Sequence, residues 1–179
     1  MCMKPIYAVV AMAVMYGVLA LMARSAPIFP DQQHLHDQER SLARLKRIRF
    51  EVELMPKELR EVGLSAKGIR QRWSGRLEEA GLDLTGKDGD PVLKLIISSG
   101  TEPRVPGGVA FNPYLALIQK ARIDSVDGEL ALPTYVDVRL GLESHDKLAA
   151  AANQVVNDML AGFQKKYRRA RGAELGDGR

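Results

Sequence analysis

The chain has 179 residues, 46% hydrophobic and 27% charged, a globular composition with room for one ordinary domain and appendages. Its 26 Lys and Arg exceed its 22 Asp and Glu, but residues 26 to 164 carry 18 basic and 20 acidic, whereas residues 165 to 179 carry six and two. The excess belongs to a tail, which removes support for a basic nucleic-acid-binding face on the fold itself; the single cysteine, Cys2, excludes internal disulfides.

From Ile6 to Met22 the chain is an unbroken run of apolar residues, Tyr and one Gly, preceded by Lys4 and followed by Arg24. Such a run is an export segment or a membrane anchor. Small residues at Ala23 and Ser25 favour a removable signal peptide over residues 1–25. The length of the run also allows a retained inner-membrane tether through residues 6–22. No cysteine follows the run, so lipoprotein anchoring is excluded. Residues 26–45 contain Pro27, Pro30 and a polar DQQHLHDQER patch without sustained period, and are expected to be a linker. His34 and His36 within it lack a nearby third ligand other than Asp31 or Asp37, and a solvated linker accounts for them.

A folded domain is expected over 46–171. In RIRFEVEL, Ile48, Phe50, Val52 and Leu54 alternate with Arg47, Arg49, Glu51 and Glu53, the period of a strand with one buried face. A helix then has both ends marked. Ser65 stands as N-cap, Leu64 and Ile69 as a hydrophobic staple, and Gly81 as the left-handed C-cap with Leu77 and Leu82 placed for a Schellman turn. Ile69, Trp73, Leu77 and Ala80 form its apolar stripe. Asp83, Asp88 and Asp90 lie about the TGKDGDP loop, but the distal Glu of a calcium loop is missing, and a tight turn is expected. Leu93, Leu95 and Ile97 mark the second strand.

Ser98 to Pro113, with three prolines and three glycines, reads as a long loop between strands. Loops of that length inside compact domains are often functional, which makes Arg104, Phe111 and Tyr114 the first candidates for a partner-binding site. Tyr114 to Ile123 is a third strand, Asp127-Gly128 a hairpin turn, and YVDVRLGL a fourth strand. In that fourth strand Val136, Val138, Leu140 and Leu142 are expected inward, and Tyr135, Asp137 and Arg139 outward. Ser144 opens a long amphipathic helix carrying Leu148, Ala152, Val155, Val156, Met159, Leu160, Phe163 and Tyr167 on one stripe. Gly172 is expected to end it, leaving a disordered tail over 172–179. Lys165, Lys166, Arg168 and Arg169 complement its C-terminal dipole, and form an alternative site for anionic membrane surfaces or nucleic acid.

The expected fold is α+β: a two-layer sandwich of order β-α-β-β-β-α, with two helices packed on one face of a mainly antiparallel four-stranded sheet. This order, with GLS opening the first helix, AGLDL closing it and the strand YLALIQKARI, resembles small α/β domains of bacterial envelope proteins. These are the amino-terminal domain of the Tol-system β-propeller protein and the lipoprotein that assists lipopolysaccharide insertion in the outer membrane. Propeller repeats and a lipoprotein cysteine are absent, so the resemblance implies a class alone: exported, periplasmic or extracytoplasmic proteins that bind an envelope protein partner. The three histidines and the scattered carboxylates form no convergent catalytic set. A non-catalytic binding protein without cofactor, metal or nucleic-acid partner is therefore expected, with a small hydrolytic enzyme lacking a recognisable motif as a further alternative.

Overall fold

The computed structural model describes residues 37–101, 106–123 and 128–176, with side chains through residue 172. The leader, His34 and His36, Arg104 and the tip of the Asp127-Gly128 turn lie outside the described residues, except Gly128 itself. The described residues belong to one compact unit, Leu35–Arg179.

In chain order the elements are α1 (Asp37–Ala43), β1 (Arg49–Val52), α2 (Lys57–Glu61), α3 (Ala66–Glu79), β2 (Val92–Thr101), β3 (Gly108–Arg122), β4 (Glu129–Val138), β5 (Gly141–Ser144) and α4 (His145–Gly176). The fold is α+β, as expected, but among the described residues its sheet has five strands and is mixed rather than mainly antiparallel. β1 runs parallel to β2, while β2–β3, β3–β4 and β3–β5 are antiparallel. The parallel pair follows from connectivity, since α2 and α3 carry the chain from β1 back to the start of β2.

α3 forms as its sequence dictates. Ser65 Oγ accepts from the Gly68 backbone N–H, and Leu64 and Ile69 are both buried. At the other end Gly81 takes φ +94°, and its N–H donates to the Glu78 carbonyl while that of Leu82 donates to Leu77, the two bonds of a Schellman motif. The Trp73 indole N–H donates to Asn157 Oδ1 at 3.0 Å, locking α3 against α4. Along α4, Leu148, Ala152, Val156, Met159, Leu160, Phe163 and Tyr167 are buried over the sheet. The helix continues through Gly172 to Gly176, so that glycine does not terminate it.

The expected linker also contains structure. α1 packs on α4 and β4, and Leu42 within it is fully buried. Its DQERSLA sequence has too few apolar residues to show a period, and tertiary contact with α4 and β4 supplies what propensity does not. The chain is thus helical from Asp37, ahead of the boundary expected at 46.

The segment Ser98 to Pro113 is mostly not a loop. β2 runs on to Thr101 and β3 starts at Gly108, paired from Val92↔Ile118 to Thr101↔Val109. Pro113 sits in the middle of a 15-residue strand, where a proline lacks a ladder donor. Its missing N–H falls opposite Arg139, whose own N–H donates to the Pro113 carbonyl; Asn112 Nδ2 replaces the donor by bonding the Arg139 carbonyl at 2.9 Å. That substitution of a side-chain amide for a backbone amide divides β4 from β5. The register is continuous across the division, with Tyr114↔Val138 on one side and Phe111↔Gly141 on the other.

Two further expectations are overturned. Leu54 lies beyond the end of β1 and is 91% exposed. The fourth strand faces the other way: Tyr135 is fully buried and the aliphatic residues point outward. The Tyr135 ring meets Phe163 edge-on at 5.3 Å and lies under Lys166 Nζ at 5.0 Å. Asp137, on the same face, is neutralised by Arg139 at 2.9 Å. Because side chains alternate with period two, turning Tyr135 inward turns the intervening residues, Val136, Val138, Leu140 and Leu142, outward.

Candidate partner-binding surface

The helices sit on the sheet face that carries Leu93, Leu95, Ile97, Phe111, Leu115, Leu117 and Tyr135, all buried. Among the described residues no element packs on the opposite face. Strand alternation and the pairing register lay that face out in rows: Val92, Ile118 and Pro133; Glu51, Lys94, Ala116 and Val136; Ile96, Tyr114 and Val138; Ala110 and Leu142. Leu140 falls between the last two rows. Val138 is 51%, Leu140 77% and Leu142 55% exposed, an aliphatic line along one edge of the sheet.

The far rim of this face is charged but internally balanced. Lys94 Nζ bonds Glu53 at 2.6 Å, and Arg49 lies 3.7 Å from Glu51 and 2.8 Å from Asp88. Donating to the Glu53 carboxylate holds the Lys94 ammonium above its ordinary range. A surface with an apolar centre and compensated charges at its margin has the composition of a protein-contact patch.

The three candidates from the sequence do not form one site. Arg104 lies outside the described residues. Phe111 is buried on the helix-covered face beneath Gly141, whose missing Cβ makes room for the ring, so Phe111 cannot touch a partner directly. Tyr114 does lie on the open face, beside Ile96 and Val138. The residues missed are Val138, Leu140 and Leu142. Their alternation was visible, but its phase was not. The available signal was local: Asp137 and Arg139, two apart on one face, can neutralise each other, and Gly141 next in that series offers no side chain to expose.

The basic cluster is divided as well. Lys166 stacks on Tyr135 and Arg169 Nε lies 3.9 Å from the buried Glu39, whereas Lys165 and Arg168 are exposed. A shallow cleft beyond the end of β1 is lined by Val52, Glu53, Leu54, Ala66, Lys67 and Arg70. Within it Arg70 donates to the Val52 carbonyl at 3.4 Å.

The aspartates of the 83–90 turn are occupied within it. Asp83 accepts from the Thr85 hydroxyl and backbone N–H and from Arg47, which hold its carboxyl below the ordinary range. Asp88 bonds Arg49, and Asp90 accepts from the Lys87 N–H. Among the described residues no three His, Cys, Asp or Glu side chains are grouped to hold a metal, and no helix is long and apolar enough to cross a membrane.

No family model matches the sequence, and no curated protein matches it.

Proposed function

We propose that the chain is a non-catalytic, exported envelope protein that binds a macromolecular partner on the open face of its sheet. The observation that carries this reading is the line of Val138, Leu140 and Leu142, exposed at 51%, 77% and 55% beside Tyr114 and Ile96. Leaving these partly exposed aliphatic side chains in water forgoes about 1 to 2 kcal/mol each relative to full burial, and a partner recovers that energy. Export is inferred from the Ile6–Met22 run, and the envelope setting from the resemblance to small envelope domains. The reading requires no cofactor.

Replacing Ile96 and Leu142 together with Lys tests it. Both side chains lie on the open face, so the melting curve should stay close to that of the parent while partner recovery from envelope fractions is lost. Retention of the same partner by this variant, with loss on neutralising Lys165, Lys166, Arg168 and Arg169, would assign binding to the basic end of α4 instead.

A further inference from the structure

We infer that two copies of this chain pair edge to edge through residues 136–140, joining their sheets across a two-fold axis at Val138. The inference concerns the edge of the sheet, not its face, and holds whether or not a heterologous partner binds.

The backbone directions come first. The Arg139 N–H donates to Pro113 and the His145 N–H to Gly107, which places odd-numbered residues of this line in the hydrogen-bonded positions against β3. In an antiparallel ladder the intervening residues direct their N–H and C=O away from that partner. Val136, Val138, Leu140 and Leu142 therefore present the backbone groups of a free edge, and no other described residue provides a hydrogen bond to them. The free stretch is bounded at one end by α1, where Ser41 Oγ donates to the Thr134 carbonyl. An open edge of this kind is a template for another strand, and natural proteins protect such edges with lysine, proline or an unpaired inward charge. Residues 136–142 contain no lysine or proline, and their one acid and one base neutralise each other.

The edge is complementary to itself. Only registers that oppose outward-directed residues can bond, and with Asp137 and Arg139 on the opposite face they differ in the charges they bring together. An axis at Arg139 sets Arg139 against its own copy. An axis at Leu140 sets Asp137 against Glu143, and one at Asp137 sets that carboxylate against itself. The axis at Val138 sets Asp137 of each copy against Arg139 of the other, with Val138 opposite Val138 and Val136 opposite Leu140. Opposite charges facing across a ladder are stabilising and like charges destabilising, so among the axes from Asp137 to Leu140 this register alone opposes unlike charges. An axis at Gly141 also sets Arg139 against Glu143, but its pairing ends at Val138 opposite Ser144, because the chain enters α4 at His145. The register at Val138 therefore satisfies both faces. It is isologous and closed, which limits association to two chains, and it makes one continuous aliphatic line from two short ones.

The test uses the full-length chain with Cys2→Ser, kept in a mild non-ionic detergent because of the Ile6–Met22 run. Val138→Cys places a thiol opposite its own copy, within the Cα separation a disulfide accepts, and mild oxidation should convert most of it to a covalent dimer. Leu140→Cys should cross-link far less. Val138→Pro removes an outward N–H without touching the ladder to β3, so it should reduce the sedimenting mass from two chains to one while keeping the parent circular dichroism. A monomeric parent chain, stronger cross-linking at Leu140 than at Val138, or a Val138→Pro variant that folds and still dimerises would each overturn the proposal.

Discussion

Tyr135 determines which way the outer strand faces, and it does so at a cost in hydrogen bonding. Its ring is buried between Phe163 and Lys166, yet among the described residues its hydroxyl meets no partner. Burial, and next the Asp137 charge, push its pKa up to about 12. A buried hydroxyl without a hydrogen bond costs roughly 1 to 3 kcal/mol. Tyr135→Phe keeps the ring contacts and removes that cost, so it should stabilise the domain by about 1 kcal/mol in urea titration. Tyr135→Ser, by contrast, loses the ring and should destabilise strongly. Asp83 gives a pH dependence of opposite character. Its folded pKa lies below the unfolded value, because Thr85 and then Arg47 favour the carboxylate. Its contribution to stability is therefore complete above the ordinary carboxylate range and disappears as pH falls through the folded pKa. Asp83→Asn should flatten part of the acid limb of the stability profile and change its slope little near neutrality.

At the scale of elements, β3 and α4 carry the domain. The strand tolerates Pro113 because Asn112 supplies the missing donor to the Arg139 carbonyl. Asn112→Ala should cost about 1 kcal/mol, the usual net value of one hydrogen bond. In a Pro113→Ala background the backbone N–H returns, and the same change should cost close to nothing. A double-mutant cycle measures this coupling directly. The helix is less forgiving. Phe163 is fully buried against Tyr135, and Phe163→Ala should destabilise by about 3 to 5 kcal/mol, lowering the melting temperature by roughly 10 °C for a domain of this size. A melting curve unchanged by that substitution would mean that α4 does not cover the sheet.

Among the described residues, the sheet has one well-buried face and one that is apolar but open. Within those residues, which begin at Asp37, the core is formed by α1, α3 and α4 against the sheet. A chain beginning at Ala26 should therefore unfold cooperatively, with a melting temperature near that of the full-length protein. The same shortened chain should remain exposed along Val138, Leu140 and Leu142, and its solubility should improve when Leu140 is replaced by Lys. That substitution adds a charge to the line and leaves the core untouched.

Local order was legible in the sequence wherever one element contains its own signal. Ser65, Gly81 and the Leu77–Leu82 pair specify the ends of α3 without help from elsewhere, and the stripe of α4 names its buried residues because 3.6-residue periodicity has a single apolar side. Period-two alternation carries no such direction when both sets contain apolar residues, so Val136 to Leu142 showed a strand but not its inner face. Phe163 and Lys166, more than twenty residues away, decided that by enclosing Tyr135. Proline and glycine likewise marked Ser98 to Pro113 as a loop, because the amide that repairs the ladder belongs to a side chain, Asn112, and its acceptor to another strand. The candidate site moved for the same reason: whether a hydrophobic residue is core or surface depends on what covers it, and that cover comes from parts of the chain distant in sequence.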